Sequence, residues 1–147
     1  MPEQKVRTSE ILQRLLKTEN INQFIKRNNK NMKSTPLHII LNHLCTERNT
    51  LPAYVIEKSG IERSFGHQLF NGSRKASRDK VLQIAFGFEM NYEEVRELLK
   101  MAQMSALYPK IERDAVIIFA LNRGLPLSDL QATLSELSLP LLGEVKK

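Results

Sequence analysis

The sequence predicts an all-α protein. Apolar residues recur at helical spacing along most of the 147-residue chain, whereas strict alternation of apolar and polar residues is nearly absent. Capping residues precede several apolar stripes and glycines follow them, as is usual for short helices. Apolar content of 41% with 26% charged residues is typical of one folded domain with a modest extension.

Residues 1–34 are predicted to form two helices and a basic arm. The first helix begins near Thr8 or Ser9 as its N-cap and ends near Lys17, and Asn20 caps a second helix that ends near Asn28. The stretch Lys26–Thr35 carries four cations and no anion, which favours a linker or arm over a packed element.

Residues 35–104 are predicted to form five short helices. Their boundary signals, in chain order, are Thr35 and Pro36 at the first start, Thr50 and Gly60 around the second helix, Gly72 after the third, Ser77 before the fourth, and the Asn91–Glu94 capping box before the fifth.

Residues 105–147 are predicted to form a C-terminal helical extension. One helix runs from about Pro109 to Asn122 and is closed by Gly124, and a shorter one lies near Pro126–Leu137. The apolar residues of these helices form either a dimer surface or a cap over the core of residues 35–104. They are Ile117, Ile118, Phe119, Leu121, Leu130, Leu134 and Leu137. The Leu-Pro segments at 51 and 125 echo each other faintly, which does not establish a repeat.

The net charge of +6 suggests a polyanionic partner, because clustered Lys and Arg release counterions when they meet phosphate. No run approaches the length of a membrane span, and the N-terminus lacks an apolar signal core, so we expect no membrane partner and a cytoplasmic location.

The single cysteine, Cys45, is expected to be a core thiol. His38 and His43 are five residues apart, a spacing that does not bring them to one helical face.

Catalytic patterns are lacking as well. The sequence contains no nucleophile and base at a recognisable spacing, no Gly-rich phosphate loop and no Cys/His metal pattern. We therefore expect a protein without a cofactor or metal, and not an enzyme.

The informative segment is Thr50–Val95. It contains a short helix, a turn centred on Gly60, a second short helix that ends at Gly72, a basic loop and a further apolar helix. The turn Gly-Ile, the ending Leu-Phe-Asn-Gly, the 12-residue spacing of the glycines and the stretch RKASRDKVLQIAFGFEMNYEEV resemble the helix-turn-helix of the Cro and phage-repressor family, also called the xenobiotic-response-element family. The resemblance covers residues 37–101.

This resemblance implies a repressor-like five-helix domain that binds double-stranded DNA through the major groove and regulates transcription, with two half-sites and therefore a homodimer. The residues it places toward base edges are Arg63, Ser64, His67 and Gln68. The residues it places toward phosphates are Pro52 and Ala53, through backbone amides, and Arg74, Lys75, Arg78 and Lys80. The basic arm would then either enter a minor groove or serve as a spacer.

Two residues depart from the family pattern. Gly66 stands where the family has a buried Ile or Val, and we expect Phe65 to supply the missing packing through a rotated helix. Glu62 begins the recognition helix with a charge that repels phosphate. Both departures favour an alternative function, in which the same scaffold is an adaptor that binds a protein partner instead of DNA.

Overall fold

The structure, a computed structural model, describes residues 8–32 and 35–143, with the backbone alone for 28–32. The described residues form nine helices and no strand, which confirms the predicted all-α class. The helices are α1 (Thr8–Lys17), α2 (Ile21–Met32), α3 (Leu37–Glu47), α4 (Pro52–Ser59), α5 (Arg63–Asn71), α6 (Arg78–Gly87), α7 (Tyr92–Met101), α8 (Glu112–Asn122) and α9 (Leu127–Glu136). None of these helices has the length and apolar character that a membrane span requires.

The chain divides into two compact units, an N-terminal unit of residues 1–35 and a C-terminal unit of residues 36–147. In the N-terminal unit α1 and α2 pack against each other. The Asn20 side chain accepts a hydrogen bond from the Gln23 amide at 3.2 Å, which confirms the predicted cap.

The predicted basic arm is instead helical as far as Met32, so that prediction was wrong for most of its length. No Gly or Pro occurs between Ile21 and Pro36, and lysine and arginine are good helix formers, so no local signal stops α2 at Asn28. Lys33 and Ser34, which the prediction also included, lie outside the described residues.

In residues 36–143 of the C-terminal unit a hydrophobic core is formed by side chains from the seven helices α3 to α9. A fully buried side chain from each helix, in chain order, is Leu41, Val55, Leu69, Leu82, Leu98, Ile117 and Leu130. The expected boundary between residues 104 and 105 falls inside this unit.

The C-terminal helices α8 and α9 cap that core. Ile117, Leu121, Leu130 and Leu134 are buried within the chain itself, so the predicted dimer surface cannot be built from them. Helix α8 carries apolar residues on more than one face because it packs against both α7 and α9. Of the remaining predicted residues, Ile118 is half-buried, whereas Phe119 and Leu137 are exposed.

Most of the predicted helix ends are confirmed. Gly60, Gly72 and Gly124 each adopt a left-handed backbone after a helix, with φ of 68°, 85° and 66°. The Ser77 hydroxyl caps α6 by accepting from the Lys80 amide. The capping box before α7 is complete, with both of its hydrogen bonds formed.

The threonine caps predicted for α3 and α4 were wrong, and at the start of the chain Thr8 is already the first described residue of α1. The N-cap residues of α3 and α4 are Pro36 and Leu51, and neither cap has a side-chain hydrogen bond. A proline at the first helical position leaves the residue before it extended, so at α4 that residue, Leu51, is the cap and Thr50 lies one position too early.

The second half of the C-terminal unit repeats one layout at an offset of 35 residues. The sequence Arg-Asp-x-Val-x-x-x-Ala occurs at 78–85 in α6 and at 113–120 in α8. The ranges of α7 and α9 differ by the same 35 positions. Left-handed residues recur at this offset too, with Glu89 matching Gly124 and Gln103 matching Ser138.

The repeated Arg-Asp pairs bind each other. Arg78 of α6 forms an ion pair with Asp114 of α8, and Arg113 of α8 forms one with Asp79 of α6. Both pairs are bidentate, with N···O distances of 2.8 to 3.1 Å. This cross-pairing fixes the start of α6 against the start of α8.

Candidate nucleic-acid interface

Helix α5 begins at an acidic cap. Glu62 accepts hydrogen bonds from the amides of Ser64 and Phe65, at 2.9 and 2.8 Å. These two amide hydrogen bonds hold the pKa of the Glu62 carboxyl below its usual range. The cap is therefore ionised at neutral pH, and it stabilises the positive end of the α5 dipole.

The exposed side of α5, which we call the outer face, carries the four residues predicted to read bases. Arg63, Ser64 and His67 are exposed and Gln68 is half-buried. On the opposite side, Gly66, Leu69 and Phe70 are buried. Helix α5 thus presents one polar side and packs the other into the core of its own unit.

The packing of α5 on α4 depends on Gly66. A Cβ at Gly66 would lie 2.5 Å from Cγ2 of Ile56, closer than any real Cβ contact. Ile56 fills the space that a larger residue would occupy at position 66, and Phe65 is half-buried and also packs against the core. No rotation of α5 is needed, and Arg63, Ser64 and His67 remain exposed.

Phe65 has a second role, which sequence reasoning missed. The guanidinium carbon of Arg74 lies 4.6 Å from the centre of the Phe65 ring, and the ammonium nitrogen of Lys80 lies 5.2 Å from it. The half-buried ring therefore holds two cations beside α5 through cation–π contacts. The sequence signal for these contacts was an aromatic residue, Phe65, in the helix that precedes a basic loop.

Arg74 is also tied to the outer face. Its Nε–H donates to the side-chain oxygen of Gln68 at 2.8 Å. Because the Gln68 oxygen already accepts from Arg74, the group that Gln68 can offer to another molecule is its amide nitrogen, a donor. The same hydrogen bond holds Arg74 in one orientation. The two side chains form a fixed polar unit at the end of α5.

The loop after α5 is shaped by its own side chains. Asn71 accepts from the backbone amide and the hydroxyl of Ser73, at 2.9 and 2.6 Å. Asn42 of α3 donates to the Phe70 carbonyl at 2.7 Å and so binds the last turn of α5. Lys75 follows in this loop and is exposed.

The start of α4 offers a backbone donor. Pro52 is half-buried and Ala53 is exposed in the first turn, and no side chain caps this end. The amides of a first helical turn that has no side-chain cap can bind an anion. Pro52 has no N–H group, so the phosphate contact predicted through its backbone amide was wrong. The Tyr54 and Val55 amides donate to the Leu51 carbonyl, at 3.1 and 3.3 Å, which leaves the Ala53 amide as the donor that this end of α4 can offer.

Arg78 differs from the other predicted phosphate contacts. Besides its bidentate pair with Asp114, it donates to the carbonyls of Ser105 and Ala106 at 3.0 and 3.1 Å. Burial raises the pKa of Asp114, but hydrogen bonds from Arg78 and the Tyr108 amide outweigh this and lower it. Arg78 is thus a structural residue, because its guanidinium is already bound by Asp114 and by two backbone carbonyls.

The charges around the outer face are mostly positive. Arg63, Arg74, Lys75 and Lys80 lie on α5, in the loop after it and in the first turn of α6, and Glu62 is the acidic residue at the start of α5.

Comparison of the chain with models of protein families, with curated proteins and with solved structures found no match.

Proposed function

We propose that the chain is a sequence-specific regulator of transcription that binds double-stranded DNA, with α4 and α5 as a helix-turn-helix and α5 as the recognition helix. The five helices of this repressor-like domain are α3 to α7. The proposal depends on one observation above all, that α5 has a polar exposed side next to cations and a buried opposite side.

The chemistry of the outer face suits base edges in a major groove. Arg63 can donate twice to guanine, and Ser64 can donate or accept. Gln68, with its oxygen bound by Arg74, can donate through its amide nitrogen to an acceptor such as a purine N7 or thymine O4. His67 extends this polar surface by one turn.

Phosphate contacts would hold this helix in register. Lys75 and Lys80 supply point charges, Arg74 supplies a guanidinium, and the Ala53 amide in the first turn of α4 supplies a neutral donor. Arg78 is excluded from this set because its guanidinium already binds Asp114.

A protein-binding adaptor is the second candidate. Glu62 places a negative charge at the start of α5, and Leu51 and Tyr54 at the start of α4 are 61% and 59% exposed. An acidic and apolar border of this kind suits a protein surface better than a phosphate backbone.

Selection from a random library of double-stranded DNA with the purified chain tests the proposal. We expect wild type to enrich one motif and Arg63→Ala to enrich a relaxed version of it. Arg123→Ala is the matched control, because Arg123 lies over Phe119 at the end of α8, and it should enrich the wild-type motif. Failure of wild type to enrich any motif would favour the adaptor.

A further inference from the structure

The end of α5 and the loop after it are joined twice by the same two residues. The Arg74 backbone amide donates to the Gln68 carbonyl at 3.3 Å, and the Arg74 Nε–H donates to the Gln68 side-chain oxygen at 2.8 Å. The backbone hydrogen bond remains if the Arg74 side chain is removed. The side-chain hydrogen bond can therefore be tested without changing the path of the loop.

The chemistry of this side-chain hydrogen bond leaves no choice of atoms. Arginine carries donors and no acceptor, so the Gln68 atom that faces Arg74 must be the amide oxygen. The Gln68 amide nitrogen makes no hydrogen bond to any residue that the structure describes. Gln68 thus meets another molecule as a donor, whereas an unpaired glutamine can donate and accept.

The Arg74 guanidinium is also held from a second direction. Its central carbon lies 4.6 Å from the centre of the Phe65 ring, and that ring is half-buried and packs against the core. Phe65 and Gln68 both belong to α5, so both contacts fix the guanidinium to the same helix. A planar guanidinium that is fixed in this way loses little freedom when it binds a further partner. Its terminal nitrogens remain available to a phosphate.

We propose that Arg74 is a specificity-determining residue, which restricts Gln68 to the role of a donor and so makes α5 select guanine where an unpaired glutamine would select adenine. This inference deepens the proposed function and rests on it. It adds a second role to the phosphate contact of Arg74, and it names the base that Gln68 reads.

The edges of the two purines in the major groove explain the choice. Glutamine usually reads adenine by donating to N7 while it accepts from the N6 amino group. The Gln68 oxygen that would accept from N6 is occupied by Arg74. Guanine presents two acceptors, N7 and O6, and no donor, so it suits a side chain that can only donate. The N6 amino group of adenine would instead face the Gln68 amide nitrogen, donor against donor.

The test measures affinities of the purified full chain for two duplexes that differ at one base pair. Selection from random double-stranded DNA identifies the position, as the one where wild type and Gln68→Ala enrich different bases. We expect wild type to bind the guanine duplex about tenfold more tightly than the adenine duplex. Arg74→Ala should lower this guanine-to-adenine ratio at least about tenfold, because Gln68 regains its acceptor.

Lys75→Ala is the matched control. It removes the neighbouring cation of the same loop, and the hydrogen bond to Gln68 stays in place. Lys75→Ala should weaken the binding of both duplexes equally and keep their ratio, as expected of a phosphate contact.

A double variant tests whether Arg74 acts through Gln68. Gln68→Ala and the double variant Gln68→Ala/Arg74→Ala should have the same guanine-to-adenine ratio, because Arg74 has no acceptor to restrict once Gln68 is absent. Fluorescence anisotropy of labelled duplexes measures all of these affinities.

Several results would overturn this role of Arg74. They are an unchanged ratio in Arg74→Ala, an equal fall in Lys75→Ala, different ratios for Gln68→Ala and the double variant, and a selection in which wild type and Gln68→Ala enrich the same bases throughout. Each of these requires that wild type enriches a motif, so the proposed function survives it. Enrichment of no motif by wild type would contradict the proposed function itself, and the role of Arg74 with it.

Discussion

Arg78 donates to both carboxylate oxygens of Asp114, at 3.1 and 2.9 Å, and so joins the first turn of α6 to the first turn of α8. The Asp114 side chain is only 5% exposed. Removing one partner of such a pair leaves a buried charge without compensation, which is strongly destabilising. Among the cations that the sequence assigned to phosphate contact, Arg78 therefore has a structural role.

The first prediction separates Arg78 from Lys75 by stability. Arg78→Ala should lower the free energy of unfolding by about 3 kcal/mol, because Asp114 loses its buried partner. Lys75→Ala should change it by less than about 0.5 kcal/mol, since Lys75 is exposed. Urea denaturation followed by circular dichroism measures both. Equal stability of the two variants would show that the ion pair does not hold α8 in place.

The second prediction concerns acid. Burial raises the pKa of Asp79, but the hydrogen bonds from Arg113 and the Gly143 amide outweigh it and lower the pKa below its ordinary value. The pKa of Asp114 is lowered as well. A carboxyl whose folded pKa is depressed stabilises the fold above its unfolded pKa, about 3.9, and this stabilisation is lost as pH falls through the folded pKa.

The free energy of unfolding of wild type should therefore decrease steeply below about pH 4. Asp114→Asn should be less stable than wild type at pH 7 and should show a shallower decrease in acid. Urea titrations at intervals between about pH 2.5 and 7 measure how the free energy of unfolding changes with pH on both sides of the ordinary aspartate pKa. Identical slopes for wild type and Asp114→Asn would contradict the assignment.

The third prediction tests the close approach of Gly66 and Ile56. Gly66→Ala should destabilise the fold by about 1–3 kcal/mol through overpacking, despite the better helix propensity of alanine. Ile56→Ala alone should cost about 2–5 kcal/mol because it leaves a cavity. In the double variant each change relieves the other, so the total loss should be smaller than the sum. Additive losses in chemical denaturation would mean that the two residues do not share the space.

The fourth prediction uses the acidic cap and depends on the proposed function. Glu62→Gln removes a charge at the start of α5 while keeping an oxygen that can accept from the Ser64 or Phe65 amide. DNA affinity should rise several-fold at low salt, and the gain should shrink as salt screens the charge. Fluorescence anisotropy at two salt concentrations measures this. An unchanged or lower affinity would place Glu62 away from the phosphates.

Local signals predicted the helices and most of their ends. Gly60, Gly72, Ser77 and Asn91 act where they were expected, because a left-handed residue or a capping oxygen depends on the chain within a few residues. Thr50 failed for a local reason as well, since the proline two positions later moves the cap to Leu51.

Long-range pairing could not be predicted from one sequence. Arg78 looked like part of a basic loop, and the side chain that binds it is 36 residues away. The Arg-Asp-x-Val-x-x-x-Ala pattern is present in the sequence at 78–85 and again at 113–120, whereas the predicted echo lay between the Leu-Pro segments at 51 and 125. A repeated pattern does not by itself show that the arginine of each copy binds the aspartate of the other.

The resemblance to the repressor family implied the outer face of α5, and helical spacing agrees with it, because residues 63, 64, 67 and 68 fall on the side of α5 opposite the buried Leu69. The contacts of Phe65 with cations could not be predicted in this way. Its partners Arg74 and Lys80 come from the loop and from α6, and only the fold brings both onto one ring.

The proposed function is tested most directly by the salt dependence of binding to an enriched duplex and to a scrambled duplex of equal length. We expect the enriched duplex to bind at least about a thousandfold more tightly, with affinity falling as salt rises and with a log–log slope reduced by about 1 in Lys75→Ala. Equal, salt-insensitive binding of both duplexes would contradict DNA recognition by α5.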